Sequence, residues 1–193
     1  LALALMRLSR NKIVRNLSGA YIAVFRSTPM MVQLYIIFYG LFSVIKIPSV
    51  VILGFIDLSR FIPGVVALAL NSSAYVAEII RAGILAVDGG QNEAARSLGL
   101  SSWQSMKLVV LPQAIRFVIP SLISQLVVVV KDTALAYVVT FPDLMQNAQV
   151  LRTNYDALVS TYLVVAVIYI LINYLINKAS VYVSHRMGVK IIR

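Results

Sequence analysis

Residues 157–177 read ALVSTYLVVAVIYILINYLIN, and this run holds no charged side chain between Asp156 and Lys178. A helix needs about 20 mostly apolar residues to cross the hydrocarbon of a bilayer. Three earlier stretches are also long and apolar, and few charged residues interrupt them. A backbone in lipid has to satisfy its own hydrogen bonds, so each span is predicted to be helical. We therefore expect an all-α polytopic transmembrane bundle, with spans at residues 27–45, 61–87, 108–131 and 157–178.

The composition supports a single transmembrane domain over residues 1–193. Hydrophobic residues make up 60% of the chain and charged residues 12%, which is far more apolar than an ordinary soluble domain. The chain has no cysteine, and His185 is its one histidine, so neither a disulfide nor a multi-histidine metal site is expected. No Gly-x-x-x-x-Gly-Lys-Ser/Thr phosphate loop occurs, so we expect no ATP hydrolysis and no catalytic residue in this chain.

The net charge of +10 fits either nucleic-acid binding or a membrane protein with basic cytoplasmic loops. The distribution of the charges decides between them. If residues 7–15 lie inside the cell, the alternation of spans leaves only Lys46, Arg60 and Arg152 in outside loops. The basic residues then inside are Arg7, Arg10, Lys12, Arg15, Arg96, Lys107, Lys178, Arg186, Lys190 and Arg193. The positive-inside rule therefore predicts a cytoplasmic loop at residues 88–107, a cytoplasmic C-terminus and no nucleic-acid partner.

The segments before the first predicted span leave two alternatives open. We interpret the initial LALAL as the end of a helix whose earlier part lies before Leu1, with a short native tail as the alternative. Residues 9–26 place apolar side chains at near-helical spacing. This pattern indicates either an amphipathic helix at the cytoplasmic surface or a continuation of the next span. Residues 27–29 then read as a helix-entry signal, with Pro29 in the first turn.

Short helices are also predicted in the outside segment that follows Lys131. Asp132 is suited to cap a helix that runs through Val139. Residues 140–143, TFPD, have the Ser/Thr-x-x-acid form of a capping box, with Pro142 in the first turn of another helix. Such helices either cover a pathway through the membrane or pack against the spans.

A polar stretch, DGGQNEAARSLG at residues 88–99, interrupts the apolar sequence. Its two adjacent glycines break the preceding helix, and Asp88 or Asn92 is suited to cap a short helix through Leu98. Gly99 suits a left-handed position at the end of that helix, and residues 101–104 form a capping box for a second helix. Pro112 marks the start or a kink of the next span. We predict two short helices that meet at Gly99 on the cytoplasmic side.

The surface of the first short helix is suited to a close approach by another protein. The small side chains of Ala94 and Ala95 would let a partner come close to the helix. Glu93, expected in the first turn, would interact favourably with the helix dipole. The spacing is more specific than the triplet: Glu-Ala-Ala is followed by three residues, Gly99, nine residues and Val109-x-Leu-Pro. This pattern resembles the signature of permease subunits of ATP-binding-cassette (ABC) importers of type I. The family has isoleucine where this chain has Val109.

Other stretches resemble the subgroup of that family that takes up polar amino acids. They are Arg26-Ser-Thr-Pro29 with Gln33 and Tyr39-Gly40, Ala74-Tyr-Val-Ala-Glu78-Ile-Ile-Arg81, and Lys131-Asp-Thr133. Together they cover nearly the whole chain, and the chain departs at Ser27, where the subgroup usually has glycine. The resemblance implies about five helices per subunit, of which the first is largely missing here.

The resemblance also implies the partners and the location. These are cytoplasmic ATPase subunits that bind ATP and Mg²⁺, a second permease subunit that is identical or paralogous, an extracytoplasmic solute-binding protein, and the bacterial inner membrane. The ATPase-docking residues would be Glu93, Ala94, Ala95, Gly99, Leu111 and Pro112. An ion-coupled carrier or a channel is the alternative function, and it would need no ATPase.

Polar residues within the spans are the candidates for contact with an amino-acid substrate. Asn71, Tyr75 and Glu78 recur at i, i+4 and i+7 and form one polar stripe on the predicted span at residues 61–87. Glu78 and Arg81 are spaced to pair with each other, and Asn71 is suited to ordinary interhelical hydrogen bonding, so both structural alternatives stay open. The full candidate set for the pathway is Asn71, Ser72, Tyr75, Glu78, Arg81, Lys131, Asp132 and Thr133.

Overall fold

A computed structural model describes residues 1–54, 56–139 and 141–186, apart from the side chains of Val183, His185 and Arg186. The predictions made for Thr140, Lys190 and Arg193, and for the side chains of His185 and Arg186, lie outside these described residues. The α-helices are α1 (Ala2–Arg7), α2 (Lys12–Ser27), α3 (Met30–Tyr35), α4 (Phe42–Val44), α5 (Leu58–Leu85), α6 (Gly89–Ser97), α7 (Ser102–Ser105), α8 (Leu111–Asp132), α9 (Leu144–Tyr155) and α10 (Leu158–Arg186).

Other secondary structure connects these helices. π-helical turns cover Ile36–Leu41 and Met106–Val110, and a 3₁₀ helix covers Thr133–Val139. Two short strands, β1 (Val51–Ile52) and β2 (Ile56–Asp57), pair antiparallel, with Val51 opposite Asp57. The all-α fold class is confirmed, and the hairpin is a small addition that the sequence did not predict.

Three helical stretches of the described chain are long and apolar enough to cross a membrane: Leu58–Leu85, Ser102–Val139 and Leu158–Tyr182. The second of them runs without interruption from α7 to the end of the 3₁₀ helix. A fourth stretch qualifies only when α2 and Met30–Val44 are taken together, and the two halves are bent by 108°. The region predicted as one span at residues 27–45 is therefore the second half of a broken pair.

Pro29 lies at this break. It is the extended residue before α3, with φ −61° and ψ 137°, and so it precedes the first turn in which it was predicted to lie. Proline has no N–H for a helical hydrogen bond and disfavours helical geometry in the residue before it. The Thr28 hydroxyl donates to the Val24 carbonyl oxygen at 2.8 Å and helps to end α2.

The described residues form two compact units. The first holds residues 1–23 and 73–125 and those from 178 onward, and the second holds residues 24–72 and 126–177. The long helices α5, α8 and α10 supply residues to both units.

In the first unit, α5 and α8 pack closely. Ile84, Val110 and Ala114 form a buried cluster. Gly83 faces α8 so closely that a Cβ atom there would collide with Cγ2 of Val118. Small residues let helix backbones approach in this way, which is how helices gain dispersion contacts in a membrane.

The core of the second unit forms around the turn after the break. Leu34, Ile37, Ala67 and Val139 are buried together, so α3, the following π turn, α5 and the 3₁₀ helix all contribute. Apolar side chains that pack around this cluster are Met30, Phe38, Phe42, Val66, Leu70, Val138 and Phe141.

The two predictions for the outside segment are each correct only in part. The short helix predicted through Val139 is present as the 3₁₀ helix Thr133–Val139, but it continues directly from α8. Asp132 is the last residue of α8, so it does not begin a separate helix as its N-cap. Asp143 is the N-cap of α9 and accepts a 2.7 Å hydrogen bond from the Gln146 N–H, so it is not the fourth residue, at helix position N3, of the predicted box. Pro142 therefore lies before the helix rather than in its first turn. Asp143 is extended, which an N-cap requires.

Candidate functional site

The loop between α5 and α8 contains the two short helices that the sequence predicts. Asp88, rather than Asn92, caps α6, because its Oδ1 accepts a 2.7 Å hydrogen bond from the Gly90 N–H. Ser101 and Gln104 form the predicted capping box of α7, with hydrogen bonds of 3.3 and 2.9 Å. These contacts satisfy N–H groups that a helix start otherwise leaves without partners.

The turn at Gly99 is a Schellman motif. Gly99 has φ +81°, as the left-handed assignment predicts. Its N–H donates to the Arg96 carbonyl oxygen at 3.0 Å, and the Leu100 N–H donates to the Ala95 carbonyl oxygen at 3.2 Å. A residue with a Cβ atom is strained at this φ, so glycine is the residue that lets α6 end and α7 begin within a few residues.

Side chains tie α6 to the elements that follow the turn. The buried Ser105 hydroxyl donates to Oδ1 of Asn92 at 2.6 Å. Gln113, in the first turn of α8, donates to Oε1 of Gln91 at 3.2 Å and to the Val109 carbonyl oxygen at 3.1 Å. On the exposed side, Arg96 donates to the Ser102 hydroxyl at 2.8 Å.

The predicted docking residues are only partly on the surface. Glu93, Ala94, Gly99 and Pro112 are exposed and Leu111 is half-buried, but Ala95 is 3% exposed. Of the two alanines predicted to allow a partner to approach closely, only Ala94 is therefore on the surface. Glu93 lies in the second turn of α6, because the helix begins at Gly89, so the predicted benefit from the dipole is small there.

The exposed apolar side chains near the turn were not singled out by the sequence. Leu98 is 83% exposed and Trp103 is 68% exposed. Each lies within four residues of Gly99, one on either side of it. Their sequence signal is an apolar residue in an otherwise polar stretch, which is weak for any single residue.

Among the pathway candidates, Asn71 has a structural role. It is 5% exposed, and its Nδ2 donates to Oε1 of Gln33 at 2.9 Å and to the Phe25 carbonyl oxygen at 3.3 Å. Gln33 in turn donates to the carbonyl oxygens of Phe25 and Thr28, at 2.8 and 3.0 Å, and to the Thr28 hydroxyl at 2.6 Å. These amides bind the carbonyl oxygens that the break between α2 and α3 leaves exposed, which matches the interhelical alternative for Asn71.

Glu78 and Arg81 are brought together. Nε of Arg81 lies 3.1 and 3.0 Å from the two carboxylate oxygens of Glu78, and Nη2 lies 2.8 Å from Oε2. Both side chains are partly buried. Charges within a span are costly unless they are paired or face water, so this pair partly offsets the cost of both ions.

The other pathway candidates are divided between the units. Asn71, Ser72 and residues 131–133 belong to the second unit, whereas Tyr75, Glu78 and Arg81 belong to the first. Thr133 is exposed and its hydroxyl donates to the Val130 carbonyl oxygen at 2.7 Å. Within the described part of the chain, no group of three or more acidic, histidine or cysteine side chains is arranged to hold a metal ion.

Known proteins resemble the chain over almost its full length. Residues 1–189 match the family described as binding-protein-dependent transport system inner membrane component. The L-cystine transport system permease protein TcyL of Bacillus subtilis (strain 168) is 40% identical over 172 residues, which are 88% of this chain and 70% of that protein. The putative glutamine transport system permease protein GlnP of Rickettsia prowazekii (strain Madrid E) is 40% identical over 148 residues, which are 77% of this chain but only 64% of that protein.

Solved structures agree. A crystal structure of an amino acid ABC transporter with histidines has a chain that is 39% identical and superposes with a TM-score of 0.83, covering 95% of this chain and 81% of that chain. An inward-facing structure of the MetNI methionine ABC transporter is 19% identical with a TM-score of 0.74, covers 92% of this chain and 77% of that chain, and shows the fold alone. The chain therefore belongs to the family of binding-protein-dependent transport system inner membrane components, among the amino-acid ABC transporter permeases.

Proposed function

We propose that this chain is the membrane-spanning subunit of an importer that is driven by ATP hydrolysis on separate cytoplasmic subunits. The chain lines the pathway for a polar amino acid, which an extracytoplasmic solute-binding protein delivers. It pairs with a second permease subunit in the bacterial inner membrane, and its C-terminus is cytoplasmic. ATP and Mg²⁺ bind to the partner ATPase, and this chain performs no chemical step.

The observation that carries this function is the turn at Gly99. Caps at Asp88 and Ser101 and the Schellman motif hold α6 and α7 in one defined arrangement. Leu98 and Trp103 stand exposed on either side of it. Exposed apolar side chains on an ordered, mostly polar surface favour a protein partner that covers them.

The substrate class rests on the relatives and on the charges within the spans. Named relatives include permeases for glutamine and for L-cystine. An amino acid presents an ammonium and a carboxylate group, and Lys131, Asp132, Glu78 and Arg81 offer charges of both signs. Ser72 and Thr133 in the second unit, and Tyr75 in the first, are hydroxyl-bearing candidates for substrate contact.

The test is reconstitution of the chain with its ATPase subunits, its partner permease and its binding protein in liposomes. Uptake of a labelled polar amino acid that needs both ATP and the binding protein supports the function. Uptake by the permease subunits alone, without ATP, would identify a carrier or a channel instead. ATP-driven uptake that no amino acid competes for would refute the substrate class and leave the permease function in place.

A further inference from the structure

The hydrogen bond between Asn92 and Ser105 joins two helices across the turn at Gly99. Ser105 has no exposed surface, and its hydroxyl lies 2.6 Å from Oδ1 of Asn92. A buried hydroxyl without access to water loses a hydrogen bond when its protein partner is removed. Asn92 is exposed and begins the second turn of α6, so nothing in its own helix requires this contact.

A second contact joins α6 to a different element, the start of α8. Gln113 donates to Gln91 at 3.2 Å, and it lies in the first turn of α8. The same Nε2 atom also donates to the carbonyl oxygen of Val109, in the π turn just before α8. Residues 91 and 92 of α6 are thus held both at the end of α7 and at the start of α8.

These contacts matter because of what they connect. Ser102–Val139 is one long apolar stretch that can cross the membrane, whereas α6 is a short polar helix outside it. Residues 98–101 lie between them, and Gly99 is held there by the backbone hydrogen bonds of the Schellman motif. Without side-chain ties, the backbone hydrogen bonds of this turn alone would have to resist bending when a force is applied to α6.

We infer that Asn92 and Ser105, supported by Gln91 and Gln113, form a latch that makes α6 and the start of α8 move as one body. The inference rests on the proposed function, in which an ATPase subunit grips α6. The latch residues are positioning residues: they touch neither substrate nor nucleotide, and they determine how much of the ATPase motion reaches the membrane span.

The first experiment measures coupling in the reconstituted transporter as ATP molecules hydrolysed per amino acid imported. Ser105→Ala and Asn92→Ala each remove the bond, and we expect each to raise this ratio roughly fivefold, while the ATPase rate stays within about twofold of wild type. The double variant should be no worse than the single variants, because all three lack the same bond. Asn92→Asp keeps an acceptor for the Ser105 hydroxyl and should restore the wild-type ratio.

Ser102→Ala is the matched control. It removes an exposed hydrogen bond, that between Arg96 and Ser102, which also joins α6 to α7. Because water can replace an exposed partner, the ratio should not change. A normal ratio in Ser105→Ala and Asn92→Ala would overturn the latch, and an effect of Ser105→Ala alone would assign Ser105 to packing only.

A second experiment needs no ATPase and separates the latch from the proposed function. The chain has no cysteine, so nitroxide labels at Ser97→Cys on α6 and Ile115→Cys on α8 are specific. In the purified full chain, pulsed electron paramagnetic resonance should give a narrow distribution of distances between the two labels. We expect Asn92→Ala to broaden this distribution and Asn92→Asp to leave it narrow. An unchanged width in Asn92→Ala would contradict the latch even if transport fails for another reason. Failure of the wild-type subunits to associate would instead contradict the proposed function.

Discussion

The side-chain amide of Asn71, in the middle of α5, donates a 2.9 Å hydrogen bond to Oε1 of Gln33, which lies in α3 just after the break between α2 and α3. Both side chains are almost fully buried. Two helices that end against each other within a membrane expose carbonyl and N–H groups that lipid cannot satisfy. The Asn71–Gln33 pair binds the carbonyl oxygens of Phe25 and Thr28 and thereby allows the chain to turn.

Loss of this hydrogen-bonded pair should destabilise the turn between α2 and α3. We expect Asn71→Leu and Gln33→Leu each to lower stability by about 1–3 kcal/mol, because buried carbonyl groups lose their donors. Thermal unfolding in detergent measures the change. Ser72→Ala, on the neighbouring position of α5, is the control. Normal stability together with an altered KM for uptake in Asn71→Leu would instead place Asn71 in the substrate site.

Gly99→Ala should weaken association with the ATPase subunits. An alanine at φ +81° costs about 1–2 kcal/mol, which corresponds to roughly tenfold weaker binding if the strain is relieved by disordering the turn. Co-purification at graded ATPase concentrations measures the effect. Gly89→Ala is a matched control, since a Cβ atom there meets no other atom within 4 Å. Equal association of both variants with the ATPase would argue against docking at this turn.

Gly83→Ala should destabilise the first unit. Its Cβ atom would overlap with Cγ2 of Val118, and overpacking of this kind costs about 1–3 kcal/mol. Gly64→Ala in the same helix meets open space and should be neutral or slightly stabilising. A second change, Val118→Ala, should recover part of the loss. Thermal unfolding of the wild type and these three variants is the measurement, and a stable Gly83→Ala would show that α5 and α8 can separate without cost.

Variants of Glu78 and Arg81 can show whether the two side chains form a structural ion pair or contact the substrate. Glu78→Gln and Arg81→Gln each leave one charge in the span, so each should lower stability, whereas the double variant should regain much of it. If the pair is structural, the double variant also regains uptake. A stable double variant without uptake would assign these side chains to the substrate.

Asp143 should make stability depend on pH. Burial raises the pKa of its carboxyl group above the usual value, and its Oδ2 is buried without a hydrogen-bond partner, while the Gln146 N–H binds Oδ1. The folded state therefore retains the proton longer than the unfolded state. This favours folding at acid pH, and the contribution is lost as pH rises through the folded pKa.

Asp143→Asn keeps the cap without the charge. It should therefore be more stable than wild type at pH 7, and the difference should vanish below the unfolded pKa. Asp143→Ala also removes the charge but loses the cap, which costs about 1 kcal/mol at every pH. Chemical unfolding across pH 3 to 8 separates these effects, and a pH-independent difference between wild type and Asp143→Asn would contradict a raised pKa.

The loop at residues 88–107 shows how much of the structure bonds between near neighbours determine. Gly99 and Ser101 were predicted correctly as a left-handed turn and a capping box, because each partner lies within a few residues. The cap of α6 was left open between Asp88 and Asn92, and the structure selects Asp88. The prediction placed Asp143 three positions inside the helix, whereas the structure has it as the N-cap of α9. The burial of Ala95 was missed because the spacing of a helix does not say which side meets the rest of the chain.

The amino-acid sequence by itself determined that this protein spans a membrane and where its polar loop turns, and it predicts by the positive-inside rule that this loop is cytoplasmic. These properties are sums along the chain or bonds between near neighbours, and they do not require knowledge of the fold. The tertiary structure decided the partners of Asn71 and Ser105. Those hydrogen bonds join residues 38 and 13 positions apart, and only the packing of helices brings such side chains within 3 Å of each other.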